Sequence, residues 1–140
     1  MTLSAQSPFF AWEYLSAKCF GVGYVCALVL VHALLPSAYV WDIALFFLIA
    51  MLFTYPIAAA YQKQAEGLEV GVAASLAVLG VVGYLVTPWL IILGIVLHGV
   101  WDLAKFRGAG APFFNWYTLG CVCVDFCYAA ALSFIAWNIL

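Results

Sequence analysis

Residues 39–61, YVWDIALFFLIAMLFTYPIAAAY, decide the fold of this chain, because Asp42 is the only charged residue in the run. A helix crosses a bilayer with about 20 mostly apolar residues. Further runs of this kind, each with a single lysine or acidic residue, occupy residues 17–35, 68–86, 89–103 and 118–140. The runs are continuous and lack the alternation of barrel strands. The sequence therefore predicts an all-α integral membrane protein, a compact bundle of about five transmembrane helices.

Composition supports the same fold class. Hydrophobic residues make up 69 % and charged residues 7 % of the chain, whereas a soluble domain carries roughly 25 % charged residues. The spans leave too few residues for a second domain, so we expect residues 1–140 to form a single transmembrane domain without a cleaved signal peptide. The net charge of −2 argues against nucleic acid as a partner. The lipid bilayer is the expected partner.

Proline, glycine and polar residues mark the breaks between the spans. Pro36 ends the first run, and residues 62–67 form the polar connection between the second and third runs. Pro88 is expected in the first turn of the fourth helix, and residues 105–112 form a basic, glycine-rich turn. Pro56 lies inside the second span and predicts a kink there.

The basic residues predict the orientation of the chain. With five spans, Lys18, Lys63, Lys105 and Arg107 all fall on one side of the membrane. The positive-inside rule places this side and the N-terminus in the cytoplasm, and the C-terminus outside. We expect a bacterial inner-membrane protein whose aromatic residues 7–16 lie in the membrane interface before the first span.

Small residues are dense in the third span, where Gly67, Gly71 and Ser75 form an extended G-x-x-x-G pattern. Small residues let two helix backbones approach closely in lipid. We therefore expect this helix to be the packing centre of the bundle. Glu69, in its first turn, is expected only to complement the helix dipole.

The chemically conspicuous residues are His98, Trp101 and Asp102 on the fourth span and Asp125 on the fifth. His98 and Asp102 are four residues apart and therefore share a helix face. Asp125 lies at a depth similar to that of His98, and a short connection joins the two spans. Inserting a carboxylate near the membrane centre has a free-energy cost of at least about 2.5–3.5 kcal/mol. These residues therefore predict a polar site in the cytoplasmic half of the bilayer.

Two interpretations of this group remain open. A functional site would bind a proton, a metal ion or a small lipophilic ligand, or supply an acid–base pair with Trp101 lining the pocket. In the structural interpretation, Asp102 lies near the interface with Lys105, and a His98–Asp125 hydrogen bond fixes helix packing. The metal-ligating candidates are His98, Asp125 and Cys121. The sequence identifies no cofactor.

A weaker candidate site is predicted at the outer end of the first hairpin. It consists of His32, about one turn inside the membrane, and Asp42, at the start of the second span. Aspartate at a helix N-terminus is also ordinary dipole chemistry. The pair is therefore either an outer site or two independent structural residues.

The segment His98-Gly99-Val100-Trp101-Asp102, followed by Pro112, Trp116-Tyr117 and Asp125, resembles a group of small bacterial polytopic membrane proteins. Their pattern is H-x-x-W-D, a basic glycine-rich turn, P-x-x-x-W-Y and an aspartate about eight residues on. The resemblance covers the last third of the chain and implies no assigned activity. Those relatives often have a histidine just after H-x-x-W-D, where this chain has residues 105–107, Lys-Phe-Arg. This departure disfavours a multi-histidine metal centre.

Three functions are compatible with these patterns. The first is a small polytopic membrane protein with an intramembrane His/Asp/Asp site. The second is an accessory or structural subunit of a larger membrane complex, or a self-associating chain. The third is a membrane enzyme that acts on a lipophilic substrate through a His/Asp acid–base pair. With little mass outside the spans, each function is exerted within the bilayer or through neighbouring subunits.

Overall fold

The computed structural model describes residues 8–139, and these residues are predominantly helical with no strand among them. The helices are α1 (Pro8–Leu34), α2 (Val40–Met51), α3 (Thr54–Gln62), α4 (Glu66–Val86), α5 (Pro88–Phe106) and α6 (Asn115–Ile139). The predicted all-α fold class is confirmed.

Four helical segments are long and apolar enough to cross a membrane. They are Ser37–Gln62, which contains α2 and α3, and then Glu66–Val86, Pro88–Phe106 and Asn115–Asn138. The apolar part of α1, Lys18–Leu34, is shorter. The helices overlap all five predicted runs, and α5 continues past the predicted end at residue 103 to Phe106.

The predicted interfacial segment at residues 7–16 is not separated from the first span. From Pro8 onwards it is helical and continues without a break to Leu34 as part of α1. Residue 7 lies outside the described residues. The position of this segment at the membrane interface stays a prediction.

Three prolines shape the helices as predicted. Pro36 precedes a short 3-10 turn at Ser37–Tyr39. Pro88 is the first residue of α5, where its missing N–H removes no helical hydrogen bond. Pro56 lies in the first turn of α3 and has no backbone N–H that could donate a hydrogen bond to the preceding turn. The α-helix is accordingly interrupted between α2 and α3, close to the position of the predicted kink, and the kink itself stays a prediction.

The centre of the bundle is α5, which packs against α2, α4 and α6, while α1 packs against α6. The core between these helices is apolar, and its completely buried side chains include Leu48, Ile91, Ile95 and Leu132. Because α5 is surrounded on three sides, polar residues on its inner face are buried inside the bundle.

The prediction that the third span is the packing centre is wrong. Only 22 % of the apolar stretch of α4 is buried, against 44 % for α5 and for α6. Gly80 does pack against Leu48, but a Cβ at Gly67 or Gly71 would meet no atom within 4 Å. The G-x-x-x-G pattern therefore faces outward, because sequence spacing reports which residues share a face and not what covers it.

A Schellman motif ends α5 and turns the chain towards α6. The N–H of Gly108 donates to the carbonyl of Lys105 at 2.8 Å, and that of Ala109 donates to the carbonyl of Ala104 at 3.0 Å. Gly108 has a φ of +96°, a conformation that glycine adopts without steric cost. This turn is the glycine-rich connection that the sequence predicts.

Gly99 allows α5 and α6 to approach closely where His98 and Asp125 meet. A Cβ at Gly99 would lie 3.0 Å from the Cβ of Asp125 and 3.4 Å from the ring of Phe126. Any larger side chain would push α6 outward. The glycine next to His98 is therefore part of what brings the polar residues of the two helices together.

Candidate functional site

His98, Asp102 and Asp125 come together in the middle of the bundle, and we refer to them as the His98 cluster. The Nδ1 of His98 forms a hydrogen bond of 2.8 Å with Oδ2 of Asp125 and lies 3.5 Å from Oδ2 of Asp102. His98 is 3 % exposed, and both aspartates are completely buried. The predicted grouping of these three side chains is therefore present.

Helix geometry explains the cluster. Asp102 follows His98 by one helical turn on α5, so the two side chains lie on the same face. Asp125 comes from α6, which packs closely against α5 at Gly99. All three side chains are buried, so each must find its partners inside the protein.

Tyr55 is a fourth member of the site that the sequence does not reveal. Its hydroxyl donates a short hydrogen bond to Oδ1 of Asp102, and its ring lies nearly parallel to the imidazole of His98 at 6.2 Å. Tyr55 is buried on α3, beside Pro56. The only sequence signal is this neighbouring proline, which predicts a kink but no contact with α5.

Three polar atoms of the His98 cluster are buried without a hydrogen-bond partner. They are Nε2 of His98, Oδ2 of Asp102 and Oδ1 of Asp125. Leaving a buried donor or acceptor unpaired typically costs about 1–3 kcal/mol, and more for a charged group. The cluster therefore contains polar atoms that could form further hydrogen bonds or coordinate an ion.

A small cavity adjoins the cluster. It has a volume of about 10 Å³, and Tyr55, Glu69, His98 and Trp101 are among the side chains that line it. This is room for one water molecule at most. Within residues 8–139, four open clefts of about 170 to 500 Å³ occur elsewhere, and no member of the His98 cluster lines them.

A second buried polar group, the Glu69 cluster, lies at the end of α5 nearest the glycine-rich turn. Lys105 Nζ donates to Oε1 of Glu69 and, at 2.8 Å, to the carbonyl of Ala111. Glu69 also accepts hydrogen bonds from the N–H of Ala111 at 2.9 Å and from Nε1 of Trp101 at 3.1 Å. Glu69, Lys105, Trp101 and Ala111 together tie α4, α5 and the following turn to one another.

The Glu69 cluster corrects two expectations from the sequence. Glu69 is 1 % exposed and paired, so its role goes beyond complementing a helix dipole. Lys105 is buried against Glu69 rather than placed at the interface as a partner of Asp102. Its partner lies 36 residues away on another helix, and local sequence spacing could not reveal that contact.

Trp101 lies beside the His98 cluster, but its hydrogen bond goes to Glu69. Its indole N–H is engaged by Glu69, and its ring also faces the open cleft between α4 and α5. Lys105 Nζ lies 4.4 Å from the centre of the Tyr55 ring, which places a cation on its face. Tyr55 therefore touches both clusters, through its hydroxyl on one side and its ring on the other.

The weaker outer candidates, His32 and Asp42, have separate partners. Nε2 of His32 forms a hydrogen bond of 2.8 Å with the hydroxyl of Tyr128 on α6. Asp42 accepts a hydrogen bond of 2.6 Å from the hydroxyl of Tyr84 on α4. Among the described residues, no ion pair joins His32 to Asp42, and the two line different clefts.

Cys121 is buried on α6 but does not belong to the group of ligand atoms. Candidate ligand atoms of His98, Asp102 and Asp125 all lie within 4.8 Å of one another, and no cysteine shares this group among the described residues. The potential ligand set contains nitrogen and oxygen and no sulfur.

No protein-family model, curated protein or solved structure matches the chain. The resemblance of the last third of the sequence to small bacterial membrane proteins therefore stays a prediction. The functional argument rests on the geometry of the two clusters.

Replacing Glu69 by alanine should strongly destabilise the protein, because it leaves the Lys105 ammonium buried without a counter-charge. Breaking a buried pair from one side typically costs about 3–5 kcal/mol. Glu66 is exposed in the same first turn of α4, so Glu66→Ala is the matched control. We expect a change of less than about 0.5 kcal/mol for that surface substitution. Reversible unfolding in mixed micelles measures both values, and equal effects would contradict the buried ion pair.

Proposed function

We propose that this chain is a multi-pass membrane protein that binds and releases a proton at the His98 cluster. The observation that supports this function best is a set of three buried ionisable side chains with unpartnered polar atoms. Histidine next to carboxylates is the usual arrangement for proton exchange near neutral pH. Ionisable groups within membrane helices commonly belong to proton or ion pathways.

The charge of the His98 cluster requires additional protons. With a neutral imidazole and two ionised carboxylates, the cluster has a charge of −2, and with a protonated imidazole its charge is −1. An uncompensated charge is costly in an apolar interior. Lys105 does not supply compensation, because it is paired with Glu69. A proton shared by Asp102 and Asp125, together with a protonated His98, makes the cluster neutral.

The size of the site favours a proton over an organic ligand. The cavity next to His98 holds one water molecule at most, and both aspartates are completely buried. A lipophilic ligand or substrate needs a pocket of about 300 Å³ or more. None of the described clefts of that size is lined by His98, Asp102 or Asp125.

The arrangement of Tyr55, His98 and Glu69 supports a route for the proton. These side chains line the same water-sized cavity, and Nε2 of His98 is unpartnered. A water molecule there would connect the His98 cluster with the Glu69 cluster. The Glu69 cluster in turn contacts the turn at Ala111, which the predicted orientation places on the cytoplasmic side.

The proposed topology has five spans, a cytoplasmic N-terminus and an outer C-terminus in a bacterial inner membrane. It is supported by the four helical segments of sufficient length, the shorter apolar part of α1 and the one-sided distribution of basic residues. Alkaline phosphatase fused after Leu140 should be active in the periplasm, and a fusion within the turn after α5 should be inactive. The reverse pattern would contradict the orientation.

An accessory-subunit role has one observation in its favour. An open groove of about 480 Å³ runs between α4 and α5, and its lining includes Gly67, Gly71 and Ser75. Small residues allow another helix to approach closely. If a subunit docks there, Gly71→Leu should abolish its co-purification in native mass spectrometry while the chain remains folded. An unchanged assembly would exclude this groove as the contact.

Infrared difference spectroscopy during a pH titration tests the proton-binding proposal. The wild-type spectrum should contain a buried carboxyl C=O band that Asp102→Asn and Asp125→Asn each remove or shift. Both substitutions should act on the same band, because the two carboxylates share the site.

Asp42→Asn is the matched control, since Asp42 is exposed and outside the cluster. It should leave the buried band unchanged. Identical difference spectra for the wild type, Asp102→Asn and Asp125→Asn would contradict the proposal. Size-exclusion chromatography of each variant confirms that it remains folded in detergent.

A further inference from the structure

We infer that the His98 cluster also binds one divalent first-row transition-metal ion, coordinated by His98 Nδ1 and by one oxygen each of Asp102 and Asp125. This inference rests on the proposed function in one respect, because the ion takes the place of the exchangeable protons. It adds a second occupant to the site and names its chemical class.

The distances within the cluster suit a small metal ion. Zinc binds nitrogen and carboxylate oxygen at about 2.0–2.2 Å, so its tetrahedral ligand atoms lie about 3.4 Å apart. The separation between His98 Nδ1 and Asp102 Oδ2 is 3.5 Å. The 2.8 Å separation from Asp125 Oδ2 is a hydrogen-bond length, which increases when an ion replaces the proton. All three candidate ligand atoms already lie within 4.8 Å of one another.

The carboxylates of the ligand group have oxygen atoms without a hydrogen-bond partner, which are therefore available to an ion. Asp102 Oδ2, one of the three ligand atoms, is buried and accepts no hydrogen bond, and neither does Asp125 Oδ1 on the opposite carboxylate. Tyr55 donates to the other oxygen of Asp102 and thereby holds Oδ2 towards His98. Such hydrogen bonds from the surroundings orient metal ligands and typically change affinity by about 10–100-fold.

Charge identifies the ion as divalent. Two ionised carboxylates and a neutral imidazole have a charge of −2, which one divalent cation neutralises completely. Coordination through Nδ1 requires the ring proton to lie on Nε2, which has no hydrogen-bond partner. Relative to the neutral, doubly protonated cluster, the ion displaces about two protons. The metal-bound and the doubly protonated states are therefore alternative neutral states of one site.

The chemistry of the ligands narrows the choice of metal. One imidazole nitrogen and carboxylate oxygens suit zinc, manganese, iron(II) or cobalt, whereas copper(I) prefers sulfur ligands. Cys121 is not part of the ligand group. Zinc, with its small preferred coordination number, is the appropriate first probe, and cobalt(II) provides a spectroscopic replacement.

Zinc content measured on purified full-length protein tests the inference. The protein is stripped with a chelator, equilibrated with Zn²⁺, separated from free ion by gel filtration and analysed by inductively coupled plasma mass spectrometry. We expect one zinc ion per chain with release of about two protons per ion. His98→Ala, Asp102→Asn and Asp125→Asn should each lower the affinity at least about tenfold, and Tyr55→Phe about 10–100-fold.

His32→Ala is the matched control, because His32 is the other histidine of the chain and has its own partner in Tyr128. This variant should retain one zinc ion. Should a cluster variant fail to fold, the visible spectrum of wild-type protein loaded with Co²⁺ decides, since four-coordinate nitrogen–oxygen ligation gives characteristic intense bands. Absence of stoichiometric zinc, zinc retained by all cluster variants, or the cobalt spectrum of a hydrated ion would overturn the inference.

Failure of the metal inference can be distinguished from failure of the proposed function. If the wild type binds no zinc but its carboxyl infrared band still depends on Asp102 and Asp125, proton binding stands and the metal site is rejected. If neither the zinc nor the carboxyl band depends on these residues, both proposals are rejected.

Discussion

The structure depends on the need to satisfy ionisable side chains that are buried inside the bundle. Asp102 and Asp125 are completely buried, and His98 is nearly so. The contact between His98 and Asp125 joins α5 to α6, and the hydrogen bond from Tyr55 to Asp102 joins α3 to α5. A carboxylate in a membrane helix is tolerated only where such partners exist. The position of three helices is therefore tied to one polar centre.

The two buried clusters differ in a way that separates structure from function. In the Glu69 cluster, one negative and one positive charge are matched, and neither side chain has an unpartnered polar atom. In the His98 cluster, two carboxylates face one imidazole, and three polar atoms lack partners. The matched Glu69 cluster is consistent with a structural role, whereas the unbalanced charge of the His98 cluster is the basis of the proposed proton binding. Tyr55 contacts both clusters.

Much of the fold could be predicted from the sequence because helices in lipid need long apolar runs, and the breaks at Pro36, Pro56 and Pro88 are local. The proximity of His98 and Asp102 could also be predicted from local sequence, since residues four apart are about one helical turn apart. Tyr55 and Asp102 are 47 residues apart, and no local rule connects them. The sequence also could not predict that Gly67 and Gly71 face outward, because a pattern of small residues does not specify whether another helix covers it.

Nitrogen-15 NMR of the protein labelled at histidine can detect the buried hydrogen bond of His98 directly. The chain has two histidines, His32 and His98, so a spectrum of His32→Ala contains one imidazole signal set. We expect His98 to be hydrogen-bonded at Nδ1 and shielded from solvent exchange, with nitrogen chemical shifts that change in Asp125→Asn and on addition of zinc. An imidazole that titrates and exchanges freely, with no response to Asp125→Asn, would contradict the buried cluster and the function proposed for it.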